Sequence, residues 1–439
     1  MSDTTQAPQK KGLLAKLGFH DHKQLAGFLS IVFTGQVIYD AFDAFKGPFY
    51  NVLLKMLHLT NTQLGVVFSL IGISVFFYIP GGWINNRFSV KSILITAMMI
   101  RMFTTFVVIF FNPSFTVLEV IATIWGITDA VFWPAVLNGV NLLTDHEHKS
   151  VAFGLMESIR RLIEMSMNMI MVGVMALSSS IIVFKGGMLV YDILLLPLSI
   201  LIGKYVPNNG IAAEEQTSNG SKGKDAFKGL LHVFKIPKVW AAAIIAMTIY
   251  WSYVNAIYTI PYLQAVFKMN QASASLFGTI STSGMGIVAA LLSGILADNV
   301  FHSTSKLILI ALLVVAASIG GLLLLPQTPA MAWLAMILIL VFTYGMFTAK
   351  GIMMVPVSKI EMPEKYRDSA MSVCSFGSYS PKLFAYALNG AILDAFVSIK
   401  AYRVIFTIEI IASLFGALMA FLLMISERKT VKKTKAAAA

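Results

Sequence analysis

The sequence is poor in charge. Only 12% of its 439 residues are Asp, Glu, Lys or Arg, against roughly 25% in an average soluble domain. A water-soluble globule of this length needs far more polar surface to stay dispersed. Soluble enzymes, nucleic-acid-binding modules, disordered chains and coiled coils are therefore excluded. Cysteine is nearly absent: Cys374 stands alone, so no disulfide forms within the chain. No P-loop, other nucleotide motif or His/Cys/Asp cluster with metal spacing occurs, so neither ATP, a metal nor another cofactor is expected. The ten-residue alternations of a membrane β-barrel are missing as well.

What remains is apolar. Hydrophobic residues make up 57% of the chain, and the mean hydropathy is +0.77. A membrane-spanning helix needs about 20 mostly apolar residues. Candidates fall near 25–51, 62–85, 92–112, 115–142, 150–176, 180–204, 238–262, 273–297, 305–325, 330–357, 366–393 and 401–425. The fold expected is an all-α polytopic membrane protein of twelve transmembrane helices. No small-residue cleavage site follows the first apolar run, which is therefore expected to stay as an anchor. The 24 methionines read as packing material.

Lysines and arginines outnumber acids 33 to 21, and their placement gives orientation. Lys10, Lys11, Lys16 and Lys23 precede the first span, Arg87 and Lys91 follow the second, and Lys222 to Lys238 follow the sixth. The C-terminal tail reads SERKTVKKTK. Threading twelve helices puts all of these on one side, with Lys55, Lys268, Lys400 and Arg403 as exceptions. Both termini are thus expected in the cytoplasm, with the chain in the inner membrane. The polar stretch 207–229 reads as a linker. It suggests an N-terminal six-helix bundle, 1–206, a cytoplasmic linker, 207–236, and a C-terminal six-helix bundle, 237–439.

The two bundles carry an internal repeat. After the second span comes Gly82-Trp-Ile-Asn-Asn86-Arg87-Phe-Ser89-Val-Lys91, and after the eighth Gly294-Ile-Leu-Ala-Asp298-Asn299. Gly126 through Ala152 corresponds in the same order to Gly345 through Ala370. On these residues the sequence resembles the major facilitator superfamily, whose loop motif reads G-x-x-x-D-R-x-G-R-[KR]. Gly82, Arg87 and Lys91 match that motif; Asn86 replaces its acid and Ser89 its second glycine. The second copy keeps Gly294 and Asp298 and loses the basic residues. The resemblance implies two pseudo-symmetric six-helix bundles and alternating access. It also implies a central cavity lined by helices one, four, seven and ten, with two, five, eight and eleven beside them. The loop acid would help lock the outward-open state, a latch that Asn86 weakens in the first half.

Charges at bilayer depth point to function, since each costs about 2.5–3.5 kcal/mol at mid-membrane on insertion scales. Glu157, Arg160, Arg161 and Glu164 on helix five share one face by their i, i+3, i+4, i+7 spacing. Facing lipid they would cost about 10–14 kcal/mol by simple addition, so the stripe must face the bundle interior. It is either a self-neutralising network, with Glu157–Arg161 and Arg160–Glu164 pairs, or the lining of a substrate path. On helix eleven Tyr379 and Lys382 share a face, and Lys382 has no acid one turn away. Helix one carries Asp40, Asp43 and Lys46; Gly47-Pro48 should bend it. Asp129 and Lys350 hold nearly equivalent places on helices four and ten and could pair across the bundles or contact opposite ends of a ligand. Helix seven offers Trp251, Asn255 and Tyr258. Arg101, Asp192 and Glu409, on helices three, six and twelve, read as structural or interfacial.

The acids gather in the first half, while Lys350 and Lys382 stand without a matching acid in the second. The expectation is a secondary transporter of a small polar anion: a sugar acid, organic acid or phosphorylated metabolite. Lys46, Lys350, Lys382, Tyr379, Trp251, Asn255 and Tyr258 would bind it, and Arg160 or Arg161 would clamp its acid group. Asp40, Asp43, Asp129, Glu157 and Glu164 would gate transport or carry a coupled proton. The organophosphate antiporters of the superfamily use arginines on helices one and seven, where this chain has Lys46 and no base; that weakens a sugar-phosphate assignment. The alternative is an exporter of amphipathic drugs or lipids that bind the aromatic wall of helix seven. A sensor lacks any signalling domain, and an enzyme lacks a nucleophile–base–orienter set. The partners expected are a small molecule, H+ and the lipid bilayer, with the chain acting as a monomer and no nucleic acid bound.

Overall fold

The computed structural model describes residue 19 and residues 21–144, 149–178, 180–208, 231–363 and 366–438. The expected linker lies mostly outside them. No strand occurs among the described residues. The first half contains α1 (His22–Asp40), α2 (Tyr50–Leu57), α3 (Asn61–Ile71), α4 (Ser74–Arg87), α5 (Val90–Phe111), α6 (Phe115–Leu142), α7 (Lys149–Leu177), α8 (Ile181–Ile193) and α9 (Leu195–Tyr205). The second contains α10 (Pro237–Asn255), α11 (Thr259–Phe267), α12 (Gln271–Thr279), α13 (Met285–Ile295), α14 (Thr304–Leu324), α15 (Ala332–Gly351), α16 (Val355–Ser358), α17 (Arg367–Tyr379), α18 (Pro381–Ala395) and α19 (Ser398–Ala438).

Local chemistry sets where helices start and break. Asp21 accepts the Gln24 N–H at 2.7 Å and caps α1. Thr60 and Gln63 form a reciprocal capping box that opens α3. Ser89 caps α5, so the Gly82–Lys91 motif straddles the turn from α4 into α5. The side chains of Asn86 and Asp298 lie outside the described set. The first span bends as expected, but earlier: α1 ends at Asp40, a 3₁₀ turn covers Asp43–Phe45, and Gly47-Pro48 leads into α2. Pro381 opens α18 and breaks the eleventh span. The eighth contains π-turns at Ile280–Gly284 and Leu296–Val300.

Seven described stretches are long and apolar enough to cross a membrane: Val90–Phe111, Phe115–Leu142, Ile181–Tyr205, Pro237–Phe267, Thr304–Leu324, Pro329–Ser358 and Ile399–Glu427. The spans expected near 25–51, 62–85, 150–176, 273–297 and 366–393 are helical too. These are the bent, broken or charge-bearing ones; α2 and the helix from Asn61 onward meet at 104°.

Helix contacts fall mainly within each half. α5 packs on α6 and α9, and α1 on α7 and α9; across the molecule α14 packs on α15 and α19, and α10 on α17 and α19. The halves meet most extensively where α3 packs on α18 and α7 on α12. The first contact is close: a β-carbon on Gly65 would run into the Tyr386 carbonyl, and one on Gly390 into that of Asn61. Asp394 clasps the start of α3 with both carboxylate oxygens. It accepts from Asn61 N (3.1 Å), Asn61 Nδ2 (2.8 Å), Thr62 N (2.7 Å) and Thr62 Oγ1 (2.6 Å). Asn51 donates to Gln264, and Gln271 and Ser275 donate to the Pro48 carbonyl. The end of the molecule holding Asn61 and Asp394 is thereby sewn shut.

Candidate functional site: a polarised cavity between the halves

A cavity of about 1010 Å³ lies between the halves. Its wall draws on the first, second, fourth and fifth spans and on the seventh, eighth, tenth and eleventh. Asp43, Lys46, Asp129, Glu157, Arg160, Arg161, Glu164, Lys350, Tyr379 and Lys382 all line it. The structure thus gathers ten of the residues singled out from sequence around one space.

The N-terminal wall is charged and internally paired. Lys46 Nζ lies 2.6 Å from Asp43 Oδ1. Arg101, only 2% exposed, reaches in from α5 behind the wall and meets Asp43 Oδ2 and Asp129 Oδ1, each at 3.3 Å. Its guanidinium also stacks 4.5 Å from the Trp125 ring. Arg101, expected from the sequence to be structural or interfacial, carries the two cavity acids; its one signal is an arginine amid the apolar run of α5. On α7, Arg161 Nε and Nη1 pair with Glu157 (3.3 Å) and Glu164 (3.0 Å). Arg160 Nη1 pairs with Glu157 (3.0 Å) rather than Glu164. Its Nε donates to the Gly35 carbonyl, and its guanidinium lies 4.3 Å from the Trp133 ring. Both guanidiniums are therefore engaged. Ser283 donates to Glu164 at 3.3 Å, tying α7 to the eighth span across the seam.

The C-terminal wall is built differently. Lys350 Nζ sits 3.8 Å from the Tyr253 ring centroid, with Phe347 and Tyr250 at 5.8 and 5.9 Å. Lys382 Nζ lies 5.5 Å from the same Tyr250 ring and 5.9 Å from Tyr379. Among the described residues no carboxylate comes within 4 Å of Lys350. Ring faces attract an ammonium through their quadrupole and supply no counter-charge. Tyr250, Tyr253 and Phe347 were not foreseen; in an apolar helix aromatic residues look the same whether they pack or line a cavity.

Four candidates stand off the wall. Asp40 is fully buried behind it: Oδ1 accepts from Gln36 Nε2 at 2.9 Å, and Oδ2 has no partner. Gln36 itself lines the cavity. Trp251 packs on Phe384. Asn255 donates to Glu409 at 2.6 Å and accepts from Asn389 at 2.6 Å. Tyr258 packs on Tyr50 and donates to the Tyr386 carbonyl. Trp251, Asn255 and Tyr258 share a face of the seventh span, but it is the one turned to the eleventh and twelfth spans. Asp129 and Lys350 are not paired, because Arg101 holds the aspartate.

A cavity walled by two helix bundles, sealed at one end and charged in its interior, defines a membrane carrier. The sequence pattern of the Major Facilitator Superfamily matches residues 32–360, and the chain belongs to that family: it is a multi-pass membrane transporter, not an enzyme. It is 24% identical to the inner membrane protein YihN of Escherichia coli K12 over 93% of this chain and 97% of that one. It is 22% identical to the inner membrane protein YqcE of the same organism over 85% and 88%. A variant of the nucleoside transporter NupG has the same fold, with a TM-score of 0.73 at 14% identity over 91% of this chain and 99% of that one. A bacterial homologue of the human lysosomal transporter Spinster, in an inward-facing, unoccupied conformation, gives 0.67 at 14% identity over 91% and 96%.

Proposed function

We propose that this protein is a secondary transporter of a small polar organic anion, drawn from the sugar acids, organic acids or phosphorylated metabolites. One observation carries the reading: among the described residues Lys350 stands on the cavity wall against aromatic rings with no carboxylate within 4 Å, while the arginines opposite are matched by glutamates. An anion entering the cavity meets its uncompensated charge at the C-terminal wall, with Lys350, Lys382 and Tyr379 as the docking group. The paired acids and bases of the N-terminal wall exchange partners as the bundles rock about the cavity. Asp40, linked to the cavity through Gln36, is the candidate for a coupled proton. The unit is a monomer in the inner membrane, the location named for its two relatives, with 1–206 and 237–439 as bundles and both termini cytoplasmic. The end closed by Asp394 then faces outward. The motif residues Gly82, Asn86, Arg87, Lys91, Gly294 and Asp298 lie at the opposite, cytoplasmic end.

Export of amphipathic compounds would use the face formed by Trp251, Asn255 and Tyr258. That face is buried in helix packing, which favours the anion reading. The test is a thermal-shift screen of the purified chain against acids, neutral sugars, phosphorylated metabolites and lipophilic cations, because a ligand stabilises the state it binds. Acids should raise the melting temperature, and Lys382→Ala should abolish the rise while the protein still folds. Stabilisation by lipophilic cations alone would overturn the proposal.

A further inference from the structure

The carboxylates of the N-terminal wall do more than balance cations. Both oxygens of Asp43, Glu157 and Glu164 are taken by Lys46, Arg101, Arg160, Arg161 or Ser283. Asp129 is the exception. Its Oδ1 meets Arg101, but its Oδ2 has no donor among the described residues. Asp129 lines the cavity, and Oδ2 is not among the sealed, unsatisfied polar atoms. A carboxyl oxygen with room for a further hydrogen bond therefore faces the same space as Lys350, from the opposite half. Gln36 and Thr282 add neutral polar groups to the wall.

We infer that the transported anion is polyhydroxylated and binds in one orientation, its acid group on Lys350 and Lys382 and its hydroxyls toward Asp129. This deepens the anion reading and rests on it. Asp129 Oδ2 accepts hydrogen bonds and repels negative charge, so it sorts the two ends of such a molecule. An acid with an alkyl tail would strip water from Asp129 and return nothing. A site built to bond a hydroxyl rejects the analogue lacking it, because its own polar group is left bare. The rings beside the lysines offer flat surfaces to the C–H faces of a sugar chain. Aldonic and uronic acids combine these features; monocarboxylates with plain alkyl chains do not.

The test compares gluconate, glucuronate, hexanoate and sorbitol as ligands of the purified full-length chain, by thermal shift and calorimetry at millimolar concentration. Gluconate and hexanoate share six carbons and one charge and differ in hydroxyls; sorbitol keeps the hydroxyls and lacks the charge. Gluconate or glucuronate should bind at least about tenfold more tightly than either control. Asp129→Asn should narrow the gap between gluconate and hexanoate, and the ligand series on the native chain decides the matter if that variant does not fold. Equal binding of hexanoate and gluconate would overturn the hydroxyl assignment and leave the anion reading intact. Equal binding of sorbitol and gluconate would overturn both. No binding of gluconate or glucuronate, with other acids active in the wider screen, would overturn this inference alone.

Discussion

The two halves bury charge by different means. In the N-terminal half each arginine on or behind the cavity wall is matched by a carboxylate: Arg101 by Asp43 and Asp129, and Arg160 and Arg161 by Glu157 and Glu164. In the C-terminal half Lys350 rests on tyrosine and phenylalanine rings. Glu409, fully buried on α19, is met by neutral donors: Ser252 at 2.5 Å, Asn255 at 2.6 Å and Ser413 at 2.9 Å. Pairing an ion cancels its field; surrounding it with rings or hydroxyls stabilises it and leaves the field standing. One half is therefore suited to hold its shape, and the other to attract a ligand of opposite charge.

The comparison makes its largest prediction at Arg101. Arg101→Met removes the cation from a buried cluster and leaves Asp43 and Asp129 facing each other. Breaking a buried pair from one side costs about 3–5 kcal/mol, so the variant should lose that much stability in a denaturation series. A loss well below this would mean that Lys46 alone satisfies both acids. Next is Lys350→Gln, which takes no carboxylate's partner away. Stability should stay near that of the native chain, while acids bind about 10–100-fold more weakly, the worth of one charge-assisted hydrogen bond. Arg160→Ala should behave oppositely. Glu157 keeps Arg161, so stability falls by about 1 kcal/mol, with ligand affinity changed less than in Lys350→Gln. If Arg160→Ala lost binding and Lys350→Gln did not, the roles of the two walls would be reversed.

These roles were only partly legible in the sequence. The stripe Glu157, Arg160, Arg161, Glu164 was readable because helical spacing and the cost of charge in lipid together allow one answer. The contact of Asp43 with Lys46, three residues apart, is of the same local kind. What spacing cannot carry is reach. Arg101 extends from the third span to acids on the first and fourth, a choice fixed by helix packing. Likewise, Tyr250 and Tyr253 flank Trp251 in one turn of α10, yet the first two line the cavity and Trp251 does not. Rotation of that helix about its axis depends on contacts with α17 and α19, which no single segment encodes. Asp40, expected to gate transport or carry a coupled proton, lies buried behind the wall, where its own helix sets it against Gln36.

The smallest expected effect comes at Glu409, and it is the sharpest check on the comparison. Glu409→Gln keeps the shape of the side chain and one carbonyl oxygen, and replaces the other oxygen with an amide nitrogen. Were the acid matched by a cation, as in the first half, neutralising it would strand that cation in an apolar setting. Its neighbours are instead two hydroxyls and one carboxamide. A serine hydroxyl turns readily from donor to acceptor, and the carboxamide of Asn255 presents both functions. With the glutamine nitrogen directed to Ser252 and Ser413, and its oxygen still accepting from Asn255, every contact survives. The loss should be below about 1 kcal/mol, the scale of one neutral hydrogen bond, and ligand affinity should not move, since Glu409 is walled off from the cavity by the seventh span. Glu409→Leu, which leaves Ser252, Asn255 and Ser413 unsatisfied, should cost more than the glutamine variant. A glutamine variant as damaged as Arg101→Met would show that the second half also depends on a matched charge.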